Sequence, residues 1–118
     1  MRIDDEAWRV GKAEVVAILQ TTARTRDTIT YSDLSAQLRS IVIPYDDPIM
    51  AVMLDEISAD EFRAGRGILS AVVIHKHGDQ EPGTGFFKLA ESLGCKVTDK
   101  TIFWVSELHA VHEYWSKH

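Results

Sequence analysis

The sequence predicts an α+β fold that is mostly helical and carries a small sheet of two or three strands. Apolar residues recur at helical spacing in several segments, most clearly between Trp104 and Trp115. The continuous apolar run 68–74 is rich in β-branched residues, which is typical of a buried strand. A glycine- and proline-containing segment, 77–85, then separates this run from the next apolar pattern.

The bulk composition predicts one domain that spans residues 1–118. Of the 118 residues 45% are hydrophobic, enough to form a core, and the formal net charge of −5 has the wrong sign for general attraction to nucleic acid or anionic lipid. No segment reaches the roughly 20 apolar residues of a membrane helix. The start of the chain lacks the pattern of a signal peptide, and the single cysteine, Cys95, excludes an internal disulfide. We therefore expect a cytoplasmic protein that is not bound to a membrane.

In the first forty residues the pattern predicts two helices with a short strand between them. Residues 5–21 form an amphipathic pattern with acidic residues at its start, which favours a helix. The β-rich segment 28–31 follows and predicts the strand. Ser32 is a typical N-cap for a second helix, 33–39.

Two further helices are predicted in the middle of the chain. An Asp-Pro pair at 47–48 is typical of a helix start and predicts a helix over 48–57. The serine and glutamate at 58 and 61 match a capping box, which predicts a separate short helix, 59–64. Gly65 is placed to end that helix.

The second half of the chain predicts a strand, a loop and two helices. Residues 68–76 give the best strand, and 77–85 the loop. The segment 86–94 could begin as a returning strand, but its spacing and final glycine favour a helix. A last helix runs from Thr98 or Asp99 to about Lys117, and we expect its apolar stripe to pack against the first helix.

The order of these elements resembles a winged helix-turn-helix domain. In this resemblance the segment TITY is the first strand and SDLSAQL the first helix of the turn; residues 48–57 take the place of the recognition helix and 77–85 that of the wing. The run GRGILSAVVIHK followed by PGTGFF is also similar to a motif of small bacterial proteins, a resemblance that implies no activity. The first resemblance implies a scaffold that can bind DNA or protein.

Charge favours a protein partner over DNA. Between Asp46 and Glu61 the chain has six acidic residues and no lysine or arginine, whereas a recognition helix carries basic or polar side chains to phosphates and bases. The alternative is a DNA-binding regulator that uses a basic wing formed by Arg63, Arg66 and Lys76. The same cations could equally neutralise the acidic segment 46–61, so both interpretations remain open.

The end of the predicted strand is the main candidate for chemistry. His75, Lys76 and His77 are followed closely by Asp79, and the two histidines share one face of a strand, so they could contact one ligand or hold a metal. This pattern gives the third hypothesis, a small metal-dependent hydrolase or nuclease. A polar strand end that leaves the core is the simpler interpretation, and we expect no bound metal.

The loop glycines and the remaining reactive side chains give weaker signals. Gly83 and Gly85 do not fit a nucleotide-binding loop, although a helix starting there would offer free backbone N–H groups to an anion; tight turning is the plainer reason for them. The pair His109 and His112 and the lone Cys95 predict ordinary structural roles. The sequence thus predicts a non-enzymatic binding module without a cofactor, whose partner is a protein or a second copy of the chain.

Overall fold

The computed structural model describes residues 4–76 and 81–118. Within these ranges the chain forms five α-helices, one 3-10 turn and two short strands. In chain order they are α1 (Asp5–Arg24), β1 (Ile29–Thr30), α2 (Tyr31–Gln37), α3 (Pro48–Arg63), the 3-10 turn (Leu69–Val72), β2 (Val73–Ile74), α4 (Thr84–Ser92) and α5 (Lys100–Ser116). The predicted α+β class, mostly helical with a small two-stranded sheet, is confirmed.

Three of the helices begin at an aspartate N-cap, because a short carboxylate can satisfy N–H groups that have no partner within the helix. Asp4 accepts from the Ala7 amide at 2.7 Å in α1, and Asp99 accepts from the Ile102 amide at 3.0 Å in α5. Asp47 accepts from the Ile49 amide at 2.9 Å, and α3 begins with proline, as the Asp-Pro pair predicted. These starts are confirmed, whereas α1 ends three residues later than predicted, at Arg24.

The predicted cap of α2 is wrong by two residues. Thr30, rather than Ser32, is the N-cap, and its hydroxyl accepts from the Asp33 amide at 3.1 Å. The helix ends at Gln37, two residues before the predicted end at about Arg39, because Leu38 is extended. Thr30 is the N-cap because it is the last residue of β1 and already has the extended backbone that an N-cap needs.

The break predicted inside α3 is also wrong, since the helix is continuous to Arg63. Ser58 is fully buried, and its hydroxyl accepts from the Ser70 amide at 3.0 Å instead of capping a new helix. The Glu61 carboxylate pairs with Arg66. Both side chains of the apparent capping box therefore have tertiary partners. Gly65 does follow the end of the helix, with φ +81°.

The strand predicted over 68–76 is mostly wrong, although its burial is confirmed. Residues 69–72 form the 3-10 turn, and only β2 is a strand. β2 pairs in parallel with β1, with Ile29 opposite Val73. Ile68 and Val72 are fully buried, because α1, α3 and α5 all pack against the 3-10 turn. A segment buried on every side has no apolar period, so the pattern cannot separate a strand from a helical turn.

The expected packing of the first helix against the last is confirmed. The C-terminal half of α1 contributes Leu19 and Ala23 to the core, and α5 contributes Val111 and Trp115. Trp8 is partly buried against the core, and its indole donates to Glu56 of α3 at 2.8 Å. None of the helices in the described ranges has both the length and the hydropathy required to span a bilayer.

The order helix, strand, helix, helix, strand agrees with the order that the winged-helix resemblance uses. The two strands run parallel, so a tight hairpin does not join them. Of the predicted wing, residues 77–80 lie outside the described residues, and 81–83 lead directly into α4. The helix predicted over 86–94 is confirmed, and it begins two residues earlier, at Thr84.

Candidate binding cavity

A cavity of about 440 Å³ lies where α3, the start of α2, the end of β2 and the start of α4 meet. We call it the α3–α4 cavity. Sites for small ligands commonly enclose about 300 to 1,000 Å³, behind mostly apolar walls. The apolar part of this lining comes from Pro48, Met50, Ala51, Leu54 and Phe86.

Two polar side chains in the wall have no hydrogen-bond partner in the described part of the chain. Ser70 is only 7% exposed and lines the cavity, and its amide, but not its hydroxyl, is hydrogen-bonded. Asp55 is half-buried, and burial raises the pKa of its carboxyl group, with no described cation to oppose the effect. Neither oxygen is fully enclosed, so both are open to hydrogen bonds from a ligand that enters the cavity.

Tyr31 and His75 form an aromatic pair beside these groups, with ring centroids 5.0 Å apart. The Gly83 amide donates to the Tyr31 hydroxyl at 3.2 Å, which leaves the phenolic proton free for another acceptor. Burial raises the pKa of Tyr31, the hydrogen bond from Gly83 lowers it, and the charge of Asp55 raises it again. Tyr31 is therefore a neutral phenol at physiological pH.

A side chain at position 83 would crowd the aromatic pair. An added Cβ would lie 3.2 Å from His75 Nε2 and 3.4 Å from the Tyr31 hydroxyl oxygen. Gly83 is also the N-cap of α4 and makes no side-chain hydrogen bond there. The first turn of α4, including Gly85, therefore presents N–H groups and the positive end of the helix dipole at the cavity.

The mouth of the cavity is acidic and aromatic. Tyr45 is 56% exposed at the mouth, next to Asp46 and Asp47. Together with Asp55, the described lining has three carboxylates and no lysine or arginine. Apart from the partial charge at the start of α4, the electrostatic character of the cavity is negative.

The structure brings together only part of the predicted site. His75, Gly83 and Gly85 line the α3–α4 cavity, and Lys76 borders an adjoining cavity that shares Tyr31, Tyr45 and His75 with it. His77 and Asp79 lie outside the described residues.

The basic cluster proposed for a wing is not assembled around the cavity. Arg66 pairs with Glu61, which is buried, and this hydrogen bond raises the pKa of Arg66. Arg66 lines a separate cavity with residues of α5, and Arg63 is exposed in the last turn of α3. For Arg66 the structure matches the alternative that the cations neutralise the acidic segment.

Sequence reasoning missed four residues of the cavity: Tyr31, Tyr45, Asp55 and Ser70. Tyr45 and Tyr31 had a usable signal, because each adjoins a predicted helix start, where a turn can expose an aromatic ring. Asp55 and Ser70 had none, since each is a single polar residue inside an apolar pattern.

The other reactive side chains have ordinary surroundings. The described ranges contain no group of three or more residues placed to hold a metal ion. His112 Nε2 lies 2.8 Å from the Asp27 carbonyl oxygen, a contact between α5 and the segment that joins α1 to β1. Burial, and secondarily the charge of Glu107, raise the pKa of the Cys95 thiol, which disfavours the thiolate that a nucleophile needs.

Comparisons of the chain with models of protein families, with curated proteins and with solved structures found no match in any of the three. The resemblances to winged-helix domains and to the GRGILSAVVIHK…PGTGFF motif stay predictions.

Proposed function

We propose that the protein is a small, non-enzymatic binding module that recognises a segment of a partner protein at the α3–α4 cavity. The observation that carries the proposal is the cavity itself, whose apolar walls open to solvent beside exposed apolar side chains. Tyr45 is 56% exposed and Ala51 is exposed, and both line the cavity. Exposed apolar surface beside a pocket is typical of a protein interaction site.

Binding is better supported than catalysis. A nucleophilic serine requires a base within hydrogen-bond reach, and the Ser70 hydroxyl has no such partner in the described part of the chain. Asp55 and His75 line the same cavity, but their side chains are not hydrogen-bonded to each other in the described part of the chain. The polar groups are placed to be satisfied by a ligand, which is the role of a binding site.

Filling the cavity tests this proposal. Ala51 lies on α3, is exposed and lines the cavity, so Ala51→Phe should block the cavity at a folding cost of only about 0.5 kcal/mol from helix propensity. Ala13→Phe, on an exposed position of α1, is the matched control. We expect partner proteins captured from the native host to bind the wild type and the Ala13→Phe variant and to be lost with Ala51→Phe.

Capture that is equal for both variants would refute the α3–α4 cavity as the interaction site. A partner can also be a second copy of the chain. Sedimentation equilibrium separates the two cases: self-association that only Ala51→Phe abolishes would identify the homodimer as the complex.

The scaffold that we propose is winged-helix-like, on the order of its elements alone. A DNA-binding regulator remains the alternative, and Lys76 and Arg63 are the cations that it would use. It has less support than protein binding, because Arg66 is engaged by Glu61 and the α3–α4 cavity is acidic. A metal-dependent hydrolase has less support still, since the described residues hold no cluster of ligands.

A further inference from the structure

We infer that the α3–α4 cavity receives a lysine side chain of the partner protein, whose ammonium group binds at the Asp55 carboxylate. This inference rests on the proposed function and names the chemistry that the cavity recognises. It follows from the charge of the lining, from the oxygen atoms in the wall and from the apolar surface around them.

The charges at the cavity favour a cation. Asp46, Asp47 and Asp55 contribute three formal negative charges, while the start of α4 contributes roughly half of one positive charge. Asp47 already caps α3, so its charge is partly compensated. Lys76 borders the adjoining cavity and adds one positive charge nearby. The two negative charges of Asp46 and Asp55 still exceed the sum of that charge and the helix end, and an anionic ligand would have to approach both.

Three residues that line the cavity, Asp55, Ser70 and Tyr31, carry oxygen acceptors. Asp55 and Ser58 lie three residues apart on α3, and the Ser58 hydroxyl holds the Ser70 amide at 3.0 Å, which places Ser70 beside the turn that carries Asp55. The Ser70 hydroxyl has no described partner. The Tyr31 hydroxyl oxygen accepts one hydrogen bond, from Gly83, and keeps a second lone pair.

This set of acceptors fits an ammonium group. An ammonium donates three hydrogen bonds in separate directions, whereas a guanidinium presents a planar fork that pairs best with one carboxylate. The four methylenes of lysine can lie along apolar surface while the charge reaches a polar group. Met50, Leu54 and Phe86 supply that surface.

A lysine probe tests the inference. Uniformly 15N-labelled protein is titrated with Nα-acetyl-lysine-N-methylamide and with its uncharged analogue, Nα-acetyl-norleucine-N-methylamide, while amide chemical shifts are recorded. We expect saturable shifts at Ser70, His75 and Gly85 with the lysine probe, and at least tenfold weaker binding of the norleucine probe. Asp55→Asn should weaken the lysine probe about tenfold, because it removes a charge-assisted hydrogen bond.

Two controls separate a local effect from a general one. Glu91→Gln removes the same charge from an exposed position of α4 and should leave the affinity unchanged. Ser70→Ala removes one acceptor without a change in charge and should weaken the lysine probe several-fold; it also provides a second variant if Asp55→Asn does not fold, as judged by circular dichroism.

Four results would overturn the inference. Equal binding of the norleucine probe would make the cavity merely apolar. Tighter binding of the corresponding glutamate amide would assign the cavity to an anion at the start of α4, and a tenfold preference for the arginine amide would assign it to a guanidinium.

The inference and the proposed function can fail separately. If Ala51→Phe abolishes partner capture while the lysine probe fails to bind, the inference is wrong and the proposed function stands. If Ala51→Phe blocks the probe but not partner capture, the lysine site stands and the proposed function is wrong.

Discussion

Gly67 shows how a single residue sets the entry of the chain into the core. It lies in the turn that leads from α3 to the buried segment, with φ +90°. An added Cβ would lie 3.1 Å from Val111 Cγ2 and 3.2 Å from Glu107 Oε1. The same glutamate oxygen accepts from the Ile68 amide at 2.8 Å, so this neighbour cannot move without loss of a hydrogen bond.

Gly67→Ala is therefore expected to cost more stability than Gly65→Ala. Both positions have positive φ, and an alanine there costs on the order of 1 kcal/mol of backbone strain. Gly65 faces open space, whereas Gly67 faces a fully buried valine, so we expect a total loss of about 2 to 3 kcal/mol at position 67. Urea denaturation of both variants measures the difference. Equal losses would show that Val111 and Glu107 adjust freely.

At the same scale, the sequence predicts some residues of the cavity and not others. His75 and the loop glycines stand out because they interrupt an apolar run or cluster at a turn. Ser70 does not, because its role depends on the tertiary hydrogen bond to Ser58, twelve residues away. A polar side chain inside an apolar stretch identifies a buried site only once its neighbours in space are known.

At the scale of elements, Glu14 joins α1 to the segment between α2 and α3. Its carboxylate accepts from the Arg39 amide at 2.9 Å, from the Ser40 amide at 3.0 Å and from the Ser40 hydroxyl at 2.7 Å. These bonds, the hydroxyl bond most of all, lower the pKa of Glu14 below its ordinary value of 4.5. The charged form is thus favoured in the folded protein.

We expect Glu14→Gln to reduce stability at neutral pH, with an effect that fades in acid. Because the folded pKa is lowered, the contribution of the carboxylate is fully present above 4.5 and is lost as the pH falls through the folded value. The difference in the free energy of unfolding between wild type and variant, measured by urea denaturation, should become smaller from pH 7 to pH 3. Glu91→Gln, at an exposed position of α4, is the control. A gap that stays constant with pH would rule out this role for the charge.

Trp104 holds α5 against the buried 3-10 turn. Its indole donates to the carbonyl oxygen of Ala71, a fully buried residue, at 2.8 Å. Trp104→Ala should destabilise the protein by roughly 3 kcal/mol, a large part of a typical total of about 5 to 15. Ile102→Ala, at a position 69% exposed on the same helix, should change it by less than about 0.5 kcal/mol. The alternative is that the apolar side of α5 that includes Trp104 is a dimer face. Trp104→Ala would then remain soluble with an unchanged circular dichroism spectrum, and light scattering would show a smaller mass.

The success of the predictions differs between kinds of element. The helices α1 and α5 were predictable because each carries apolar residues at helical spacing and an aspartate at its start. The capping-box pattern inside α3 predicted a separate helix that does not exist, because Ser58 and Glu61 bind tertiary partners. The segment 68–74 was predicted to be a strand throughout because it is surrounded by three helices. Burial on all sides removes the periodic spacing of apolar residues that distinguishes a strand from a helix.

At the scale of the whole molecule, the arrangement of charge opposes nucleic acid. The net charge is −5, and acidic side chains continue along α3, the helix at the recognition position of the winged-helix resemblance. Lys12 of α1 is within 3.0 Å of Asp60, and Arg66 pairs with Glu61, so two cations beside α3 are already neutralised. Among the cations predicted for the wing, Arg63 and Lys76 have no described ion pair.

We therefore expect no binding to duplex DNA tighter than roughly micromolar at physiological salt, the tight end of ordinary non-specific affinity. Fluorescence anisotropy with a labelled duplex, at low and at physiological salt, measures this. Lys76→Ala and Arg63→Ala are suitable variants, whereas Arg66→Ala is not, because it would leave the buried Glu61 carboxylate unpaired and so confound binding with unfolding. Nanomolar affinity that falls with salt and is lost in Lys76→Ala would contradict the expectation. Such a result would make the end of β2, rather than the acidic cavity, the functional surface. A single exposed lysine can contribute so large a part of the affinity for DNA only as part of a phosphate-binding face.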